Sequence, residues 1–377
     1  QGLADGFLAS YAPDGTLRWC RRFGAAGDDQ GRGVAVASDG NVYVIGDIRP
    51  STSSDVFLAG YRAADGGLRW SHSFGGVRDE DGRAIAADNN GNIYITGNFE
   101  EQVDFGGGLR SAAGRKDIYL ASYAVLDGSH RWSLARGGEY AEYPHDLIVD
   151  ESGNLYHTGN FAWTTDYGGG EYLSAGHLDV IIASYLGLDG SHRWSLFFGS
   201  TEEDQGHALA VDRSGHLYAG GIFSGAADPG GGVLSALGIW DAYLVSYATG
   251  DGTHRWSDHF GGTGETWGWD LAVGPAGHLY YSGYFQGRAN FGGDDLTSAG
   301  GHDIFVASFT ADGTHRWSQR FGGPLNDLHK GGLAVDAEGS VYLTGVFQQT
   351  VDFAGTRLVE AGGGDAFVLK IAGATLP

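Results

Sequence analysis

The sequence predicts an all-β chain, a six-bladed β-propeller of four-stranded antiparallel blades, on three observations. Asp followed by a short apolar run recurs at Asp55, Asp117, Asp179, Asp241, Asp303 and Asp365, each 62 residues after the last. Each interval holds four apolar or alternating runs of five to eight residues, parted by Gly, Asn and Asp turn signals. No segment carries a helical period. A sandwich would not return its strands at one fixed interval, whereas a propeller repeats a whole blade.

Taken in order, the first run of each unit is short and small: AIAA from Ala84, LIV from Leu147, ALAV from Ala208, LAV from Leu333. Small side chains suit an innermost strand, where blades crowd together. The second run follows a tight turn, as in DNNGNIYITGNF from Asp88 and DESGNLYHTGNF from Asp150. The third is DIYLASY from Asp117, and Asp127-Gly128 leads into the fourth, HRWSLARGG from His130. Asp-Gly between apolar runs signals a hairpin, because a type I′ turn wants positive φ at both central positions. One Trp per fourth strand (Trp19, Trp70, Trp132, Trp194, Trp256, Trp317) reads as blade-to-blade packing.

Runs one, two and four occur six times and run three occurs seven times, so six blades are expected in a single domain. Residues 1–25 supply strands three and four of the closing blade. Residues 33–75, 82–137, 145–199, 206–261 and 268–322 make five blades, and 330–377 bring the rest with an extra strand. The last blade is thus expected to be closed by both termini. Either DAFVLKI from Asp365 or DGFLASY from Asp5 is then spare, to pair along an outer edge or to exchange with a second copy. Asp5 precedes Asp55 by only 50 residues; the missing segment is the one that later reads VDFGGGL from Val103, TDYGGG from Thr165 and ADPGGG from Ala227.

Composition narrows the function. The 377 residues carry 46 acidic against 23 basic side chains, a formal charge of −23, which disfavours nucleic acid or an anionic bilayer as partner. No run approaches the roughly 18 apolar residues of a membrane helix, so no membrane insertion is expected. Hydrophobic residues at 42% suffice for a core. The chain opens on Gln1 without a signal-peptide pattern, and is expected to be a processed, exported chain or a trimmed one. Cys20 has no cysteine to pair with and stands where other units have Ser71, Ser133 or Ser195, so it reads as a Ser-like buried thiol.

The order of motifs resembles the secreted bacterial proteins built from SBBP repeats, a beta-propeller repeat. Their units look like FGG, an acidic patch, GIAVD, GNVYVTG, DFGGG, LTSAGG and DAFVAKY. This chain has FGGVRDEDGRAIAADNNGNIYITGNF from Phe74, VDFGGGLRSAAG from Val103 and DIFVASF from Asp303. The resemblance implies a propeller and an exported or cell-surface setting, and no reaction. The pattern breaks where ARGGEYAEYPHD (Ala135 to Asp146) replaces the FGG start, and where the first blade lacks DFGGG.

Candidate ligand residues lie just before strand one, where propeller loops converge on the channel. Aligned units place Arg32, Arg83, His145, His207, Trp269 and Gly331 at one varying position. Arginines, histidines and a tryptophan there would form a partly cationic, aromatic mouth for a carboxylate, a phosphate or an acidic sugar. Just upstream stand Asp29, Glu80, Glu142 and Asp204, and one residue before that Asp28, Asp79, Glu203, Glu265 and Asp327. Calcium is the metal such oxygens would take, but capping of loop amides is the expected use, and no cofactor or metal is assigned. His130, His192, His254 and His315 recur beside Asp-Gly turns, one per blade, too dispersed for a shared metal. The GGG segments open no helix and carry no Lys, so they are not phosphate loops.

The expected function is a non-catalytic binding or scaffold protein, exported or at the cell surface, with a glycan or protein ligand at the mouth and at loops rich in Trp163, Tyr167, Tyr172, Trp240 and Tyr284. One alternative is a central-channel hydrolase or lyase with His145 or His207 as general base beside Glu142. Another is a surface fibre built by exchange of the spare strand. DG-x-x-RW strings resemble the tryptophan docking repeats of quinone-dependent dehydrogenases only faintly, since the unit here is longer.

Overall fold

The computed structural model describes residues 4–329 and 331–373. The chain divides into two compact units, residues 1–174 with 181–196 and residues 175–180 with 197–377. Among the described residues every long element is a strand, and the fold class is the predicted β-propeller of four-stranded antiparallel blades, with six blades by the count of sheets that begin with a first and second strand.

Five of those sheets are complete. They run Gln30–Val36, Val42–Ile48, Asp55–Tyr61, Leu68–Phe74; then Asp81–Ala87, Asn92–Phe99, Asp117–Ala124, His130–Gly138; then Glu142–Val149, Asn154–Phe161, Asp179–Leu186, His192–Phe198; then Gln205–Val211, His216–Phe223, Asp241–Ala248, His254–Gly262; then Thr266–Val273, Leu279–Phe285, Asp303–Phe309, His315–Phe321. Each is a meander in chain order. The sixth sheet has three strands, Leu333–Val335, Val341–Phe347 and Asp365–Ile371. Its third strand is therefore the later of the two candidate copies. The earlier copy, Gly6–Tyr11, pairs with Leu17–Phe23 in a two-stranded sheet.

One set of contacts recurs from blade to blade. The turn Asp before strand two caps its own loop and receives a Tyr hydroxyl: Asp88 accepts from the Asn90 and Asn92 amides and from Tyr94 Oη at 2.9 Å. That Tyr leans on the Trp of strand four, as Tyr94 does on Trp132 at 6.2 Å. The indole N–H reaches the following blade: Trp19 donates to Ala63 O, Trp70 to Val125 O, Trp132 to Gly187 O and Trp256 to Ala311 O, at 2.8 to 3.1 Å. The expected packing role of these tryptophans thus includes a hydrogen bond at these four junctions, whereas the Trp317 N–H is buried without one. The Asp that opens strand three caps amides as well, Asp117 accepting from Ala113 at 2.8 Å and Asp241 from Leu237 at 2.9 Å.

The GGG segments form hairpins. Gln102–Asp104 pairs with Leu109–Ser111, and Thr164–Asp166 with Glu171–Leu173. The latter also pairs with Gly137 and Gly138, tying its hairpin to the preceding blade. Asp104 caps Gly106 and Gly108, both at positive φ (105° and 97°), conformations that favour glycine. Glycine is needed at Gly107 for a different reason: a methyl group there would lie 2.3 Å from Cε1 of His130. The recurrent histidines are thus packed under hairpin backbone, with Tyr123 edge-on to His130 at 5.7 Å.

Cys20 corrects an expectation: it is exposed. Its counterpart Ser133 is 8% exposed and meets Arg110 of the GGG hairpin. Cys20 lies in the two-stranded sheet, whose chain segment carries no such hairpin.

Candidate functional site

Register shows what sets the candidate position apart. In each complete blade the first strand carries a β-bulge, between Gly31 and Gly33, Gly82 and Ala84, Pro144 and Asp146, Gly206 and Ala208, and Gly268 and Asp270. The unpaired residues are Arg32, Arg83, His145, His207 and Trp269. A bulge frees one residue from the ladder and re-aims its side chain, so the five residues share a device as well as an alignment column. Gly331, set beside them by the sequence, is out of step: Asp327 receives the Gly323 amide four residues back, as Asp204 receives that of Ser200, so the sixth unit is shifted by one residue.

Arg32, Arg83 and His145 belong to the first unit, and each has a local partner. Arg32 Nε meets Asp47 Oδ2 at 3.0 Å, and Asp47 Oδ1 accepts the Gly82 amide at 2.8 Å. Arg83 lies 3.8 Å from Asp81, which Lys116 approaches to 3.0 Å. Burial raises the Asp47 carboxyl above its ordinary pKa, against the opposing pull of Arg32. His145 Nε2 is 2.9 Å from Asn160 Oδ1. This is a charge-paired mouth in which the arginines are occupied by the protein's own acids.

His207 and Trp269 belong to the second unit, where the surroundings are aromatic. His207 Nδ1 donates to Gly268 O at 2.7 Å, and its Nε2 lies 3.1 Å from the Gln205 side-chain amide. Burial lowers its pKa to about 4, so the ring is neutral at pH 7 and adds no positive charge. Trp269 is 5.0 Å from the His207 ring and 6.3 Å from Tyr284. Trp267, two residues before, lies parallel to both His207 and Tyr284 (9° and 14°) and edge-to-face with Trp240 at 5.0 Å. Glu265 Oε2 accepts from Trp267 Nε1 at 3.4 Å and stands 3.5 Å from His302 Nε2.

The three tryptophans are half-buried. Rings offering faces and edges beside a carboxylate and an amide are what a sugar needs, namely apolar stacking with a few directed hydrogen bonds. Sequence reasoning named Trp240, Tyr284, Trp269 and His207 separately; the structure groups them. It missed Trp267, Gln205 and His302. A signal was present, since Gln30, Asp81, Tyr143, Gln205 and Trp267 vary in step with the bulge position two residues on.

The loop aromatics of the first unit lie elsewhere. Tyr167 is fully buried, and exposed Trp163 stacks on Tyr140 at 5.4 Å. In the preceding blade Arg78 and Glu101 form an ion pair at 2.8 Å across the corresponding loops, so the ring stack fills a cross-loop role.

The acids ahead of strand one cap amides, as expected: Asp29 that of Ala25, Glu80 that of Gly76, Glu142 that of Gly138, Asp204 that of Ser200. Burial, the largest cause in each case, lifts Glu80 to about 7, Glu142 to about 8 and Asp204 to about 6. Among the described residues no three His, Cys, Asp or Glu side chains gather as metal ligands.

Residues 18–48 and 69–98 match the family described as SBBP, Beta-propeller repeat, so the chain carries repeats of that kind. It is 25% identical to the "Regulatory protein FlaEY" of Caulobacter vibrioides, over 98% of this chain and 42% of that protein's length. The chain thus spans less than half of that relative. Among solved structures it is similar to BamB from Moraxella catarrhalis (13% identity, TM-score 0.41, 90% of this chain and 86% of that one). It is also similar to hydrazine synthase of Kuenenia stuttgartiensis (10%, 0.47, 85% and 76%) and to the quinohemoprotein alcohol dehydrogenase of Comamonas testosteroni (11%, 0.44, 91% and 69%).

Proposed function

We propose that this chain is a non-catalytic binding protein, exported or at the cell surface, whose second unit takes a neutral glycan on the aromatic cluster around Trp269. The observation that carries the reading is the gathering of half-buried Trp240, Trp267 and Trp269 with Tyr284 beside Glu265 and Gln205. A carboxylate together with a neutral His207 favours an uncharged sugar over the acidic one that the sequence allowed. The exported setting draws on the SBBP resemblance.

A glycan array probed with the wild-type protein tests it. Binding to neutral glycans should fall at least about fivefold in Trp269→Ala and Trp240→Ala, as loss of one stacking ring costs above about 1 kcal/mol. Trp163→Ala should leave it unchanged. No binding to any neutral glycan, or binding indifferent to both changes, overturns the reading.

A hydrolase or lyase draws less support, because Glu142 is bound to the Gly138 amide and the Thr165 hydroxyl while His145 faces Asn160. Self-association has one observation in its favour. Strand Asp365–Ile371 is hydrogen-bonded on one side in its sheet and carries exposed Val368. Deletion of residues 365–377 should then abolish any concentration-dependent rise in sedimentation coefficient.

A further inference from the structure

The repeat sets two carboxylates about the turn that follows strand four: the Asp that opens strand three and the acid that precedes the next strand one. Asp55 faces Glu80, Asp117 faces Glu142, Asp179 faces Asp204 and Asp303 faces Asp327, each pair close enough for the first acid to oppose ionisation of the second. Asp5 and Asp29 converge on Gly24 in the same way. Two buried carboxylates side by side are costly unless something positive sits between or beside them.

In part of the repeat the protein supplies that charge itself. Two residues before the glycine at the end of strand four (Gly24, Gly75, Gly137, Gly199, Gly261, Gly322) stand Arg22, Ser73, Ala135, Phe197, His259 and Arg320 in successive units. Arg22 meets Asp5 at 3.0 Å, and Arg320 holds Asp303. His259 lies 3.9 Å from Asp241, in the unit where Thr266 replaces the second acid. Ser73, Ala135 and Phe197 bring no charge, and they stand beside Asp55–Glu80, Asp117–Glu142 and Asp179–Asp204.

In those three pairs one buried oxygen has no hydrogen-bond partner in the protein: Glu80 Oε1, Glu142 Oε2 and Asp179 Oδ1. Asp303 Oδ1 shares this trait, but its carboxylate already carries Arg320. Glu142 is 0% and Asp117 2% exposed. The place a methyl group on Gly137 would take is 2.7 Å from Glu142 Oε2 and 2.8 Å from Asp117 Oδ1, so both oxygens are aimed at one spot. The carbonyls of Gly138 and Glu139 turn toward Gly114, whose amide lies 3.4 Å from that same Asp117 oxygen.

We propose that the three pairs lacking an arginine each bind a calcium-sized divalent cation in its place, with Asp117–Glu142 the leading site. The ligands are hard oxygens only, two carboxylates with backbone carbonyl and water making up the remainder, which suits calcium's flexible shell better than magnesium's strict octahedron. This stands apart from the glycan reading, which uses other residues.

The test is titration of chelator-treated protein with calcium chloride at pH 7.5, followed by calorimetry and thermal unfolding. Wild type should bind up to three ions and gain about 3 °C or more in Tm at saturation. Glu142→Gln should bind one ion fewer. Ala135→Arg, which copies Arg320, should also bind one ion fewer, yet unfold higher than wild type in chelator. Calcium that neither binds nor moves Tm overturns the proposal and leaves the pairs sharing protons. So does binding whose stoichiometry is the same in all three proteins.

Discussion

The mouths of the two units are built on one bulge and filled with opposite chemistry. In the first unit the bulged Arg32 and Arg83 are tied to Asp47 and Asp81, and Lys116 joins them. In the second, His207 and Trp269 meet Trp267 and Tyr284, with burial keeping the imidazole neutral. An identical backbone device therefore fixes where a side chain points without fixing what it does. Charge pairs consume the hydrogen-bonding capacity of the first mouth, whereas ring faces in the second remain half open. A ligand is better sought where the protein has not already satisfied its own groups.

The sharpest way to break this comparison is the aromatic side. Trp267→Ala, which removes a ring contacted by three others, should destabilise the protein by about 3 kcal/mol and abolish the proposed glycan binding, read by chemical denaturation and the array. A wild-type Cm in this variant would mean the rings do not pack.

Protonation separates the mouths next. His207 has a folded pKa near 4, below its ordinary 6.5, so it favours the folded state when neutral. Its contribution is present above about pH 6.5 and is lost as pH falls toward 4, at most about 3 kcal/mol. His207→Gln should flatten that part of the stability profile by one proton. Glu142 has the reverse sign: its pKa is raised to about 8, so its contribution is full below about pH 4.5 and lost as pH rises through 8. Glu142→Gln should therefore be more stable than wild type at pH 9 in chelator.

On the charged side, Asp47→Ala leaves Arg32 and the Gly82 amide without their acceptor and should cost about 2 kcal/mol, measured by thermal unfolding. The smallest effect belongs to Arg83, a third exposed and 3.8 Å from its partner: Arg83→Ala should change stability by less than about 1 kcal/mol, and less still in 1 M salt. A larger loss there would show that the first mouth is more tightly coupled than its distances indicate.

The fold was legible because the physics that sets it is local and repeated. Asp127-Gly128, the Gly-Asn turns and one Trp per unit each announce themselves within a few residues, and the 62-residue spacing multiplies the signal. The GGG hairpins were not legible, since strands of two or three residues have too short a pattern to read. Cys20 failed for a related reason, because burial of its serine counterpart depends on Arg110 of such a hairpin. The candidate site was legible by column and not by partner. Variation marked Arg32 through Trp269, but whether an arginine is free or held by Asp47, fifteen residues on, is a property of the folded sheet.

The indole N–H groups of Trp19, Trp70, Trp132 and Trp256 each grip a carbonyl of the blade that follows, so one coupling is reused at four junctions beside the packed cores. Copies joined by one standard coupling can be added or lost in evolution without a fresh interface being invented. Selection is then left to tune the few hub-facing letters, and the ancestry of such chains should show gain and loss of whole 62-residue cassettes more readily than drift within them.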